Sequence, residues 1–369
     1  MARKVSLIAQ NLYTYDGANV VLGGLERYTR DLAFLCKSLG YEPTIFQFGL
    51  APWERDYEGI MVRGYPWKGD AVNCVEQVMK TDIEASDHVI YMWAGWQRNY
   101  HPSSLTISHG IWFDQPEADR AWGINALEGF IRPALAQTCA VVTVDLSFLE
   151  YCRCILPGAS IDKMCYIPNY VDTDLFKPCK REEDGMLEIL YPRRIDAARG
   201  IYLMQKIVPE LLLKYPQVRF NFALDSNWPH LVEQWKTWQA GQGAGDRIRY
   251  RHYAMNEMPQ AYQEADIVVI PSLCSEGTSF AALEGMACGK ALVCSNVGGL
   301  ANLILPEFNG KIVNPSAEGI RSALEEYIYS EEDRRRHGEN ARALVEQAFS
   351  KKRWERQWTE LMLKVFGNP

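Results

Sequence analysis

No apolar run in the 369-residue sequence approaches the roughly 20 residues that a membrane-spanning helix needs, so hydropathy excludes such a span. Positive charge is not in excess either. Lys and Arg number 39 against 46 Asp and Glu, a formal net charge of −7 with a pI near 5.5. The broad basic footprint of a nucleic-acid binder is therefore missing. The ten cysteines contain no Cys-x-x-Cys pair, and their nearest spacings are Cys152/Cys154 and Cys288/Cys294. Such scatter excludes a zinc cluster or disulfide framework and reads as small buried hydrophobes in a reducing compartment. No Gly-x-Gly-x-x-Gly occurs, and Gly285-Met-Ala-Cys-Gly-Lys-Ala is one residue short of a P-loop and lacks its Ser/Thr. The first residues, Met-Ala-Arg-Lys-Val-Ser-Leu-Ile-Ala, enter a strand pattern without a signal-peptide layout, so the expected location is the cytoplasm.

What is present suits an ordinary globular chain: 47% apolar and 23% charged residues, enough for two cores. Short apolar runs alternate with amphipathic stretches, the signature of βαβ units and parallel sheets. Strands are expected at Val5–Ala9, Thr44–Phe48, Val89–Tyr91, Leu105–Ser108 and Val141–Val144, with a helix from Leu25 to Leu39. After Ile167-Pro168-Asn169 a polar stretch, Asp172 to Gly185, marks a boundary. A second alternation follows. Its strands are Glu188–Tyr191, Arg219–Ala223, Ile267–Pro271 and Ala291–Cys294; its helices are Leu203–Tyr215, Met258–Glu264, Phe280–Cys288 and Glu318–Tyr329. The tail from about Glu331 to Phe366 is two charged helical stretches, with Trp354, Trp358 and Leu361 on one face. The fold class is α/β: two doubly wound domains of similar size separated by a cleft, with ligands at the carboxyl ends of the strands.

Glu276 and Gly277 fall in the loop after the Ile267–Pro271 strand, and Thr278 or Ser279 can cap the next helix, whose N-terminus favours a phosphate. Glu276 is expected to project from this loop, and Glu284 to lie two turns into the helix on a face reaching the same cleft. An ionised carboxylate is a pure acceptor, suited to sugar or ribose hydroxyls. As a bare pair these are merely two solvated glutamates. Arg194 and Arg199 stand just past the Glu188–Tyr191 strand, with Arg193 an adjacent competitor for the first role. Guanidiniums there can clamp a diphosphate and stabilise leaving-group charge. Gly23-Gly24 precedes a helix, where absent side chains let backbone amides approach a pyrophosphate. His109 follows an apolar strand and precedes Gly110. Asp172-Thr-Asp174 has the Asp-x-Asp spacing of a metal motif but reads as structural. The aromatics Tyr91, Trp93, Trp96, Tyr100, Trp112, Phe113 and Trp122 suit either an acceptor cleft or plain core packing.

Glu276-x7-Glu284, followed by Gly-Met-Ala-Cys-Gly-Lys and Val297-Gly-Gly, resembles the signature of retaining GT-B-fold glycosyltransferases, the clan of sucrose synthase, glycogen synthase and phosphatidylinositol mannosyltransferases. Ile167-Pro-Asn-Tyr-Val-Asp-Thr-Asp-Leu-Phe-Lys-Pro178, Gly23-Gly24-Leu-Glu-Arg-Tyr and Ser108-His109-Gly110 are similar to that family's inter-domain segment, glycine loop and histidine turn. The resemblance covers nearly the whole chain. It implies a first domain, 1–168, on the acceptor side with 350–369 packing back on it through the C-terminal helix, and a nucleotide-sugar-binding domain, 169–349. It implies His109, Arg194, Arg199 and Glu276 as catalytic groups, His109 by touching a sugar hydroxyl. Gly23, Gly24, Tyr253, Gly277, Thr278, Ser279 and Glu284 would bind the donor, whose base stacks near Arg251–Met255. Two departures stand out: Arg199 where the family usually has Lys, and Asn302 where it often has Glu.

The expected activity is transfer of a sugar from a nucleotide-diphosphate sugar to an acceptor hydroxyl with retention, in glycan, glycolipid or polysaccharide assembly, with no metal or other cofactor. The partners would be the nucleotide sugar and a carbohydrate or lipid-linked acceptor, with no nucleic acid. Lys351-Lys352-Arg353 offers a basic spot for peripheral contact with the inner membrane face, although a solvated helix end is its plainer meaning. The alternatives are an epimerase or phosphorylase-like GT-B enzyme, or a non-catalytic sugar-nucleotide binding module. Glu276→Ala is expected to abolish transfer and leave the fold intact, and Glu284→Ala to weaken nucleotide binding.

Overall fold

The structure is a computed structural model that describes residues 3–21, 23–85, 87–111, 114, 127–156, 161–180, 184–224 and 229–368. Its chain forms two compact units, Met1–Pro168 with Trp354–Pro369, and Asn169–Arg353.

The first unit holds β1 (Lys4–Ile8), β2 (Glu42–Gly49), β3 (Trp53–Tyr57), β4 (Ile60–Pro66), β5 (His88–Tyr91), β6 (Ser104–Ser108), β7 (Ala140–Thr143) and β8 (Met164–Tyr166). They order as β3-β4-β2-β1-β5-β6-β7-β8, parallel throughout except for β3. From β1 the chain winds outward to β2 and β4, then restarts at β5 on the other side, so the switch point lies between β1 and β5. The helices are α1 (Gly24–Ser38), α2 (Ala71–Thr81), α3 (Arg132–Gln137) and α4 (Leu146–Ile155). The hairpin β3–β4 was not expected from the sequence. Its two-residue turn, Glu58 and Gly59, has φ of 51° and 77°, the twist that matches adjoining antiparallel strands.

In the second unit β9 (Leu187–Tyr191), β10 (Val218–Ala223), β11 (Ile248–Arg251), β12 (Ile267–Ile270), β13 (Ala291–Ser295) and β14 (Lys311–Val313) form one parallel sheet, ordered β11-β10-β9-β12-β13-β14. Its helices are α5 (Ile201–Lys214), α6 (Pro229–Gly241), α7 (Met258–Glu264), α8 (Phe280–Ala287), α9 (Ala317–Tyr329) and α10 (Glu331–Ala348). Alternate strand residues feed two cores: Ile189, Ile267 and Val293 join one with Met204 of α5 and Leu324 of α9. Leu190, Val268 and Leu292 join the other with Tyr262 of α7, Leu283 of α8 and Val345 of α10. The sheet is thus covered on both faces, which explains its uninterrupted apolar strands. Here the switch point falls between β9 and β12.

The last helix, α11 (Lys351–Phe366), buries Trp354, Trp358, Met362 and Phe366. The spacing is i, i+4 throughout, so Met362 takes the core position and the expected Leu361 is only half-buried. Trp358 donates its indole N–H to the Tyr28 hydroxyl at 2.8 Å. Burial of each large apolar side chain contributes about 1.5–3 kcal/mol, so these four side chains bind 354–366 firmly to the first unit. Six cysteines are buried, but Cys139, Cys154 and Cys179 are exposed, against the expectation of a wholly buried set. No helix among the described residues is long and apolar enough to cross a membrane.

Candidate active site

The chain leaves β9 at Tyr191 and β12 at Ile270, side by side at the switch point, and both exits deliver charge to one place. Arg193 donates from Nη2 to Glu276 Oε1 and Oε2 at 2.8 and 2.5 Å, and from Nη1 to Ser279 Oγ at 3.3 Å. Arg199 donates from Nη1 to Glu276 Oε2 at 2.9 Å and to the Ser275 carbonyl at 2.8 Å. Ser272, fully buried at the end of β12, donates its hydroxyl to Glu276 Oε2 at 2.7 Å and accepts from Arg193 at 3.2 Å. The side chains of Glu276, Arg193 and Arg199 are 7, 10 and 18% exposed.

Local backbone makes this convergence possible. Ser275 sits at φ 54°, a left-handed turn just before Glu276. Gly200, at φ +79°, follows Arg199; a Cβ there would lie 2.0 Å from the Pro271 carbonyl oxygen. Only glycine lets the β9 exit come that close to the β12 exit. At Gly299 a Cβ would meet Gly277 backbone at 2.4 Å, and its N–H donates to the Glu276 carbonyl at 2.9 Å, fixing the main chain of the loop.

Burial pushes the Glu276 carboxyl up, but the adjacent Arg193 and Arg199 guanidiniums and the Ser272 hydroxyl more than reverse it, so its pKa ends below the usual range. The sequence expectation of a projecting, free carboxylate is therefore corrected: Glu276 is buried and ion-paired. Arg194 is also not where the spacing suggested. It is exposed, and Arg193 occupies the position on Glu276. Two guanidiniums face one carboxylate, leaving one positive charge in surplus.

Ser279, rather than Thr278, is the N-cap of α8, accepting from the Ala282 N–H at 3.5 Å. The Thr278 carbonyl accepts from Asn169 Nδ2 at 2.6 Å, and Gly277 is half-buried beside it. Glu284 lies in a helix in which every residue from Ala281 to Ala287 is buried. Rather than facing an open cleft, it sits beside Tyr262, whose phenol is raised well above its ordinary pKa by burial and by the Glu284 carboxylate. Tyr253 is half-buried against the core, its hydroxyl accepting from Asn221 Nδ2 at 2.9 Å. Asn302 closes the short turn after Gly298-Gly299. Asp172 turns its carboxylate onto its own backbone, accepting from the N–H groups of Asp174 and Leu175 at 3.0 and 3.1 Å. Among the described residues no three His, Cys, Asp or Glu side chains converge as metal ligands would.

On the first unit, Gly23 is the exposed N-cap of α1 with no side-chain cap, followed by exposed Gly24. His109 follows β6 and packs edge-on against Tyr28, ring centroids 4.9 Å apart. Burial pushes its pKa down to about 3, the Met92 backbone opposing only partly, so the imidazole is neutral. Its Nε2 is buried with no hydrogen-bond partner among the described residues, as is the Ser108 hydroxyl. Asp145, which the sequence reading passed over, follows β7. One oxygen caps α4 through the Phe148 N–H at 2.8 Å and the other has no hydrogen-bond partner among the described residues, while burial pushes its pKa up to about 6. Of the expected acceptor aromatics, Tyr91 and Tyr100 are core residues packed edge to face, and Trp96 packs on Phe48. Trp112, Phe113 and Trp122 lie outside the described residues.

Known proteins resemble this chain in sequence and in fold. Residues 173–344 match the family "Glycosyl transferases group 1". A D-inositol 3-phosphate glycosyltransferase of Paenarthrobacter aurescens is 28% identical over 174 residues, 42% of this chain and 41% of that protein. A lipopolysaccharide 1,2-N-acetylglucosaminetransferase of Salmonella typhimurium is 26% identical over 249 residues, 63% of this chain and 62% of that protein. The chain thus spans from 41% to 62% of the length of these two curated relatives. The sucrose-phosphate synthase from Thermosynechococcus elongatus superposes with a TM-score of 0.81 over 100% of both chains at 19% identity, a likeness of fold. The chain therefore has the GT-B fold, and its residues 173–344 match the group 1 glycosyl transferase domain.

Proposed function

We propose that this chain transfers a sugar from a nucleoside-diphosphate sugar to an acceptor hydroxyl, with retention of configuration and without a metal ion, in glycan or glycolipid assembly. The observation that carries this reading is the Arg193–Glu276–Arg199 cluster at the β9/β12 switch point. It is a buried anion site with surplus positive charge, placed where open α/β sheets bind ligands. The two guanidiniums hold the donor's diphosphate and stabilise the charge that grows on it as the glycosidic bond breaks. The relatives named for inositol phosphate and lipopolysaccharide acceptors support the assembly context.

Glu276 is a poor nucleophile in this setting, since two arginines draw on its lone pairs and lower its basicity. The reading therefore favours a same-face displacement through an oxocarbenium-like state. The bond from the anomeric carbon to the phosphate oxygen breaks, the acceptor oxygen bonds on the same face, and the departing phosphate takes the acceptor's proton. Glu276 positions the sugar, Glu284 serves the nucleotide, and His109 and Gly23-Gly24 are assigned to the reaction by the family resemblance alone.

A thermal-shift screen of nucleoside diphosphates and their sugars, with and without EDTA, tests the reading, because a ligand of the folded state raises its melting temperature. At least one diphosphate should raise it equally in both conditions. No shift from any of them, or a shift abolished by EDTA, contradicts the proposal.

A further inference from the structure

Resting on the proposed donor site, we infer that Glu276 occupies the two guanidiniums the donor's diphosphate needs, so that the diphosphate displaces it and frees its carboxylate for the sugar, with Ser272 as the residue that positions it on the arginines beforehand.

A carboxylate offers about four lone-pair sites. Oε2 of Glu276 already takes Arg193, Arg199 and Ser272 together, and Oε1 takes Arg193. While both arginines hold it, Oε2 is saturated and closed to a sugar hydroxyl. One amino nitrogen of each arginine is equally committed. Arg193 Nη2 serves Glu276 and Ser272 together, and Arg199 Nη1 serves Glu276 and a backbone carbonyl. Holding a diphosphate through these nitrogens and offering Oε2 to a sugar therefore compete with the paired state, and both become possible once the phosphate oxygens replace the carboxylate. The diphosphate carries more charge than a single carboxylate, so it wins the guanidiniums.

The exchange needs only a side-chain movement. The Glu276 carbonyl is held by the Gly299 N–H and the loop is clamped by close glycine contacts, so the main chain stays. Ser272, a fully buried neutral residue two positions past β12, accepts from Arg193 and donates to Glu276, so its two bonds favour the paired state over the exchanged one. Coupling of this kind is reciprocal: whatever the diphosphate does to the Glu276–arginine contact, that contact does to diphosphate affinity.

The consequence runs against the simple expectation for a binding-site residue. Removing the charge of Glu276 should tighten, not weaken, the nucleoside diphosphate. Isothermal titration of UDP, GDP and ADP into the full chain tests this in wild type, Glu276→Gln and Ser272→Ala. Glu276→Gln should bind the recognised diphosphate about tenfold more tightly than wild type, and Ser272→Ala about two- to threefold more tightly. Glu276→Gln should also lose preference for the corresponding nucleotide sugar over the diphosphate, because the freed carboxylate is gone. Unchanged or weaker diphosphate binding in a folded Glu276→Gln chain overturns the exchange; if that variant fails to fold, unchanged or weaker binding by Ser272→Ala overturns it. A wild-type chain that binds none of the three strikes down the donor site itself, whereas a wild type that binds one with neither variant tighter strikes down the exchange alone.

Discussion

At the carboxyl edge of β9 and β12 the buried polar groups are charged and, apart from Arg193 Nε, satisfy one another. At the carboxyl edge of β6 and β7 they are neutral or weakly acidic and leave hydrogen-bonding atoms open. Glu276, Arg193, Arg199 and Ser272 close a network among themselves. Among the described residues Ser108 Oγ, His109 Nε2 and one oxygen of Asp145 have no hydrogen-bond partner. The contrast separates two kinds of chemistry. A closed network of opposite charges holds its geometry before a ligand arrives and meets a polyanion with charge already in place. A set of open neutral groups suits hydroxyls, which both donate and accept, and burying them unsatisfied costs about 1–3 kcal/mol each until a partner arrives.

The largest test of this contrast is Glu276→Ala. Transfer should fall at least about a thousandfold, and chemical denaturation should show a loss of about 3–5 kcal/mol, since two buried guanidiniums lose their counter-charge. This revises the expectation from sequence that the variant leaves the fold intact. A variant as stable as wild type would break the picture of a closed network, and near-normal turnover would remove Glu276 from the sugar site.

A smaller effect probes the neutral edge. The His109 pKa lies at about 3 against an ordinary 6.5, so between these values the folded state binds fewer protons than the unfolded one. Stability contributed by the neutral imidazole is complete above pH 6.5 and is lost as pH falls toward 3, by about 1.4 kcal/mol per pH unit for this one proton. Denaturation at pH 7, 6 and 5 should therefore show wild type losing stability more steeply than His109→Asn. Parallel curves would show that the ring is not held neutral.

Much of the second unit was legible in the sequence because its strands are buried on both faces and read as unbroken apolar runs. The expected helix Met258–Glu264 coincides with α7, and strand Ile267–Pro271 runs one residue past β12. The first unit's edge was harder. β3, Trp-Glu-Arg-Asp-Tyr, is largely solvent-exposed and carries no apolar signal, so only the Glu58-Gly59 turn and the alternation of buried Ile60 and Val62 with exposed Met61 and half-buried Arg63 could have announced the hairpin. β14 has three residues, too few for a pattern.

At the site, the loop after β12 and the glutamate pair were readable, but the partner of Glu276 was not settled by spacing. The extended chain leaving β9 turns Arg193 to the same side as Tyr191 and Arg194 to the other, a parity that distinguishes them once the strand's end is known. The role of Ser272 depends on contacts across two strand exits, which no local pattern encodes. Nor does spacing report that Glu284 is enclosed in a helix buried from Ala281 to Ala287, because alanine and glycine neighbours give little contrast between its faces.

The central claim is that Arg193 and Arg199, joined through Glu276, form the donor's phosphate site. Arg193→Gln and Arg194→Gln test it most directly when compared by the thermal shift that the recognised nucleoside diphosphate produces in each. The account predicts that Arg193→Gln loses the shift and Arg194→Gln keeps it at the wild-type size. A shift retained in Arg193→Gln and lost in Arg194→Gln would contradict it.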